Sequence, residues 1–293
     1  MSETPGKALP MGDGPPLHYR VLGEGPPLLL LHGFGCDGHS FDGLADRLKE
    51  RFRVIIPDQR GHGQSAACAF PDVREATDPL DDLADDAVHL IDHAAGQPVV
   101  ALGWSMGAAV LFSAVARHGQ GRFAGLVVED MAPRVARGPG WDLGLIGAGS
   151  PKETAAVAER MSEDWPQVVE RMAPRVFADA ETPMAKDLQC SMLDSDPEAM
   201  ALLWHALATA DFRETCSAID IPVFLTRGAH SRLYPAETMD WLAARMANAQ
   251  SRTYSQSGHA PTSRSRRASP RTLPRSQSDV FSGRTSPPEA NRE

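Results

Sequence analysis

The chain has 293 residues, 42% of them hydrophobic and 23% charged. This is globular composition with length enough for a sizeable buried core, and it excludes fibres and small disulfide-stapled scaffolds. Lys and Arg number 29 against 38 Asp and Glu, a net charge of −9, which argues against a nucleic-acid partner.

Met1–Pro16 is rich in Gly and Pro and has no apolar core behind a basic start, and no run approaches 18 apolar residues, so a soluble, cytoplasmic protein without membrane association is expected. Leu17–Leu22 reads as an edge strand, and the continuous apolar run Pro27–Leu31 suits a strand buried on both faces. Ser40–Phe52 then reads as helix, Val54–Ile56 as strand, Pro79–Ala95 as helix, Pro98–Leu102 as strand, Met106–Arg117 as helix and Gly125–Val128 as strand. This alternation predicts an α/β fold, a parallel sheet with helices on both faces. From Pro133 to about Ile219 strand signals cease, and the segment reads as several helices broken by Gly and Pro, an insertion whose Trp141, Met172, Met192 and Trp204 are read as packing residues. Val223–Thr226, Ala236–Ala247 and Ser251–Tyr254 resume the strand and helix pattern. Cys36, Cys68, Cys190 and Cys216 are scattered without a C-x-x-C pair, so neither a zinc site nor a disulfide framework is indicated.

Gly103-Trp104-Ser105-Met106-Gly107 joins the strand ending at Leu102 to an Ala-rich helix. It has the G-x-S-x-G form in the strand-turn-helix setting of a nucleophile elbow, where side chains two residues either side of the serine would collide. His32-Gly33-Phe34-Gly35 follows Pro27–Leu31. A serine attacking a carbonyl needs two backbone N–H donors for the developing oxyanion; Met106, at the helix start, is expected to supply one and Phe34 the other. Asp58-Gln59-Arg60-Gly61-His62-Gly63-Gln64-Ser65 reads as a Gly-rich turn whose charges tie loops together, and His62 is not assigned a catalytic role.

These three motifs, H-G-F-G, D-x-R-G-H-G-x-S and G-W-S-M-G, in this order resemble the alpha/beta hydrolase superfamily in its esterase, thioesterase, C–C hydrolase and haloperoxidase branch. The resemblance spans about Leu17 to Pro261. It implies a mostly parallel eight-stranded sheet, a helical lid inserted after the sixth strand, a Ser-Asp/Glu-His triad and no cofactor. His259 in Ser257-Gly258-His259-Ala260-Pro261 resembles the family's catalytic histidine loop. The common acid position after the seventh strand, G-x-x-D-x-x-x-P, holds Ser231 here, within Gly228–Pro235; a hydroxyl cannot stabilise an imidazolium as a carboxylate does. Val127-Val128-Glu129-Asp130-Met131-Ala132-Pro133 resembles a subset of acyl hydrolases whose acid stands at the end of the sixth strand, so Asp130 matches and Glu129 is its rival. Neighbours on a strand point opposite ways, and the register against the D-x-A-P turn selects Asp130. His230 is read as a loop histidine near the mouth of the site, and Cys36 as a small buried filler.

The expected architecture is therefore a hydrolase core over residues 1–133 and 220–261, with a helical lid over 134–219. Residues 262–293 form a tail with seven Arg, seven Ser and four Pro against three acids, leaving the preceding chain with 22 basic and 35 acidic residues. Such a composition reads as unfolded. One reading of it is a frameshift just past His259, since dropping a base from CAC-CTC-GAG yields the Thr-Ser-Arg that follows Pro261. The expected activity is hydrolysis of an ester or thioester of a small acyl substrate through an acyl-enzyme, by a monomer or homodimer. C–C bond hydrolysis, lactonase and cofactor-free perhydrolase activity are alternatives on the same triad. The non-enzyme alternative is a ligand-sensing or impaired member.

Overall fold

The computed structural model describes residues 6–12, 14–68, 70 and 78–262; the expectations for the tail beyond Thr262 lie outside the described residues. Eight strands form one sheet: β1 Lys7–Met11, β2 Gly14–Leu22, β3 Pro27–Leu31, β4 Arg53–Pro57, β5 Val99–Trp104, β6 Phe123–Glu129, β7 Val223–Gly228 and β8 Ala249–Tyr254. Their order is β1-β2-β4-β3-β5-β6-β7-β8, with β2 antiparallel to both neighbours and the other pairings parallel. The wholly apolar β3 and β5 are buried along their full lengths, as mid-sheet strands covered on both faces must be.

β2 is not the edge strand that its sequence suggests, because β1 pairs outside it. The missed strand buries only Leu9, too little to give a periodic signal, and its Pro10 is tolerated because one side of an edge strand needs no donor.

Between the strands lie α1 Asp42–Leu48, α2 Pro79–Ala94 and α3 Met106–His118. The helix expected over 40–52 is shorter: a 3₁₀ turn at Gly38–Phe41, capped by Asp37, leads into α1. The chain turns out of α1 through bonds from the Arg51 and Phe52 amides to Leu48 O. The insertion between β6 and β7 starts with a Gly-rich irregular stretch, in which Gly138 and Trp141 form an isolated bridge and Trp141 Nε1 donates to Arg134 O. Six helices follow: α4 Pro151–Ala155, α5 Val157–Glu163, α6 Trp165–Met172, α7 Pro183–Leu193, α8 Pro197–Thr209 and α9 Arg213–Ala218. Pro begins α4, α7 and α8, each behind a Ser, Thr or Asp whose side chain accepts a first-turn amide, which explains why this Pro-rich segment is helical. α10 Ala236–Ala243 lies between β7 and β8.

The chain runs from β3 outward to β4, then returns to the other side of β3 with β5. The carboxyl ends of β3 and β5 therefore flank the point where strand order reverses, where open parallel sheets form their binding crevice. The loops carrying His32–Gly35 and Ser105 leave the sheet at this point. Among the described residues no helix is long and apolar enough to cross a membrane.

Candidate active site

Ser105 sits between β5 and α3 at φ 53°, a left-handed conformation rare for a side-chain-bearing residue. The turn needs its glycines. A Cβ on Gly107 would lie far inside contact distance of Leu31 O, and one on Gly103 would collide with Ala108 N and Gly107 O. Ser105 N donates to Glu129 O at 2.9 Å, so the elbow is tied to the end of β6, where Trp104 and Glu129 are register partners.

The next residue along β6, Asp130, also has a left-handed backbone (φ 47°), and its amide donates to Thr226 O at 2.8 Å. Its Oδ2 accepts from His259 Nδ1 at 2.7 Å, with both side chains almost fully buried. Of the two carboxyls at this strand end, Asp130 meets His259. Glu129 is fully buried, and its Oε1 accepts from the backbone N and Oγ1 of Thr262 at 3.0 and 2.9 Å. Burial raises its pKa to about 8, so it is predominantly a neutral acid at pH 7. Ser231 stays within its own loop, with its amide donating to Gly228 O and its Oγ accepting from Leu233 N.

His259 is held from two further directions. Its amide donates to Val176 O at 2.8 Å, and its carbonyl accepts from Trp104 Nε1 at 3.0 Å. The rings of Trp104 and Tyr234 lie 5.9 and 6.1 Å from the imidazole. Neither the indole N–H nor the Val176 carbonyl was foreseeable, because each bond spans a long sequence separation and ends on a backbone carbonyl.

The Phe34 loop rests on two buried, neutral histidines. His32 Nε2 accepts from Gln59 N at 3.0 Å and its Nδ1 donates to Gly33 O at 2.9 Å, while burial holds its pKa down. His62 Nε2 accepts from Gly35 N at 3.1 Å and Nδ1 donates to Arg60 O; burial and the nearby His32 push its pKa to about 3. Asp58 accepts from the amides of Gly38 and Gln64, and Arg60 forms a bidentate pair with Asp86 at 2.9 and 2.7 Å. The second motif thus braces loops, as its sequence suggests.

Ser105, His259, Phe34 and Met106 line one largely apolar cleft of about 770 Å³, counting the solvent at its mouth. Among the described residues the Phe34 N–H has no acceptor, and Met106 begins α3, so its N–H has no helical one. Met172, Met192 and Trp204 from the inserted helices line the same cleft, as does the buried Cys36, whose thiol pKa is pushed up by burial. Trp141 stands apart against Trp241 and Arg213. His230 is exposed and does not line the cleft. Among the described residues no group of three or more His, Cys, Asp or Glu is arranged to hold a metal ion.

A family model described as alpha/beta hydrolase fold matches residues 26–262. The pimeloyl-[acyl-carrier protein] methyl ester esterase of Vibrio campbellii is 26% identical over 250 residues, 84% of this chain and 92% of that enzyme. The esterase of the same name from Xanthomonas axonopodis pv. citri is 30% identical with the same coverage. Among solved structures, the esterase EaEST from Exiguobacterium antarcticum superposes with a TM-score of 0.77 at 23% identity, over 87% of this chain and 92% of that one, a likeness in fold.

Proposed function

The chain belongs to the alpha/beta hydrolase fold family, and on that footing we propose that it hydrolyses carboxylic esters of small acyl substrates through a covalent acyl-enzyme on Ser105. The observation that carries this reading is the buried His259–Asp130 bond of 2.7 Å, beside a cleft that His259 shares with a serine on a strained elbow.

With Nδ1 donating to Asp130, His259 keeps Nε2 as the acceptor for the Ser105 hydroxyl proton. Ser105 Oγ attacks the ester carbonyl carbon, its proton passes to His259 Nε2, and the carbonyl oxygen takes up the negative charge. The amides of Phe34 and Met106 donate to that oxyanion. Collapse expels the alcohol, which leaves with the proton from His259. Water then attacks the acyl-enzyme by the same route and releases the acid. Asp130 fixes the tautomer and stabilises the imidazolium without itself taking the proton.

The names of the Vibrio and Xanthomonas relatives favour an oxygen ester over the other bonds this triad can cleave. An apolar wall of Met131, Val135, Leu188 and Leu207 suits an aliphatic acyl group. Treating the protein with a serine-directed sulfonyl fluoride and mapping the adduct tests the reading: modification of the peptide carrying Ser105 is expected, and it is abolished when His259→Gln removes the base. Modification elsewhere with Ser105 untouched contradicts it.

A further inference from the structure

We infer that Arg175 recognises an anionic group, a carboxylate, carried by the substrate in addition to the ester that is cleaved. This rests on the reading of Ser105 as the nucleophile of that cleft. Among the described residues lining the cleft, Arg175 is the one Lys or Arg, and no Asp or Glu accompanies it. It also lines the wide outer cavity, whose other charged residues are Arg160, Arg171, Glu153, Glu163 and Asp164, so it stands at the neck through which a substrate reaches Ser105.

Its placement is fixed. Arg175 closes the 3₁₀ turn Ala173–Arg175 and precedes Val176, whose carbonyl accepts the His259 amide. Arg175 Nη2 donates to Ile146 O at 2.9 Å and to Arg232 O at 3.1 Å, and Arg232 in turn donates to the carbonyls of Pro174 and Phe177. The guanidinium is therefore held by neutral acceptors, while the N–H groups on Nε and Nη1 have no acceptor and the charge has no carboxylate partner among the described residues. A permanently charged fork with free donors, set against apolar walls, gains most from an acceptor that also supplies the missing charge. A neutral acyl chain leaves it unmatched.

The test compares esters of equal length with and without the charge, by proton release on the full chain. Monomethyl glutarate is set against methyl pentanoate, with the anion on the acyl part; the butyrate ester of glycolate is set against propyl butyrate, with the anion on the leaving group. In one of these pairs kcat/KM should favour the charged ester by about tenfold or more. The arm that shows the preference locates the anion. Arg175→Gln should reduce the charged-to-neutral ratio by about the same factor, and Arg175→Lys should retain part of it. A purely structural staple would lower both esters alike and leave the ratio where it was, which overturns the inference. So do equal rates in both pairs, or equal losses in the Gln and Lys variants. Absence of turnover on every ester, charged and neutral, sinks the serine-hydrolase reading beneath it as well.

Discussion

The amide of Ser105 donates to the carbonyl of Glu129, and the residue after Glu129 is the one whose carboxylate meets His259. The parallel ladder between β5 and β6 thus runs one step past its last strand pair and sets Ser105 and Asp130, the proposed nucleophile and acid, side by side. Both Ser105 and Asp130 pay for this with left-handed backbones. Two adjacent strand ends, rather than a distant loop, fix their spacing.

That arrangement separates two neighbouring carboxyls by role. Asp130→Asn should lower kcat by roughly 10³–10⁴-fold, since an amide favours the wrong imidazole tautomer. Glu129→Gln keeps an oxygen for Thr262 and should cost less than about tenfold. Steady-state rates on a short-chain ester decide it; the larger loss falling on Glu129→Gln would reassign the acid.

Glu129 also carries a pH signature. Its folded pKa, raised by burial to about 8, exceeds the unfolded value of about 4.3. The native state therefore binds the extra proton between these values, and stability from this group, complete below about pH 4.3, is lost as pH rises toward 8. Glu129→Gln removes the titration. Thermal melts from about pH 5 to 9 should show the variant gaining on the wild type as pH rises and the difference levelling off above about 8; a constant difference counts against the raised pKa.

Trp104 ties the His259 loop to the elbow through its indole N–H. Trp104→Phe leaves the buried His259 carbonyl without that donor, a cost of about 1–3 kcal/mol, and frees the loop that carries the imidazole. A fall in both unfolding free energy and kcat is expected from denaturation and kinetics. Unchanged stability with unchanged kcat would show that the bond does not position His259.

The elbow was legible from its motif: Gly103 is demanded by backbone atoms of the same turn, Ala108 N and Gly107 O, whereas Gly107 is demanded by Leu31 O on the neighbouring β3, a contact that only the recurring G-x-S-x-G form betrays. That Asp130 rather than Glu129 meets His259 could be expected only from family resemblance and the serine at position 231, since nothing in local periodicity distinguishes the two carboxyls. β1 was hidden because a strand that buries only Leu9 has no pattern to read. Val176 and Arg175 were hidden for another reason: they reach the site through a backbone carbonyl and the end of a short 3₁₀ turn, and neither leaves a trace in residue spacing.

Gly107→Ala tests the elbow's packing. The added Cβ would be driven into Leu31 O, a backbone atom that cannot move without disturbing β3. Destabilisation above about 3 kcal/mol, or insoluble protein, is expected. A stable variant with normal activity would mean that α3 and β3 are not in this close approach.

The central claim, an acyl-enzyme on Ser105, is tested most directly by rapid mixing with p-nitrophenyl butyrate. The wild type should release a burst of p-nitrophenolate stoichiometric with active chain before the steady state, and Ser105→Ala, folded to the same melting temperature, should release none. Bursts of equal amplitude in the two proteins would contradict it.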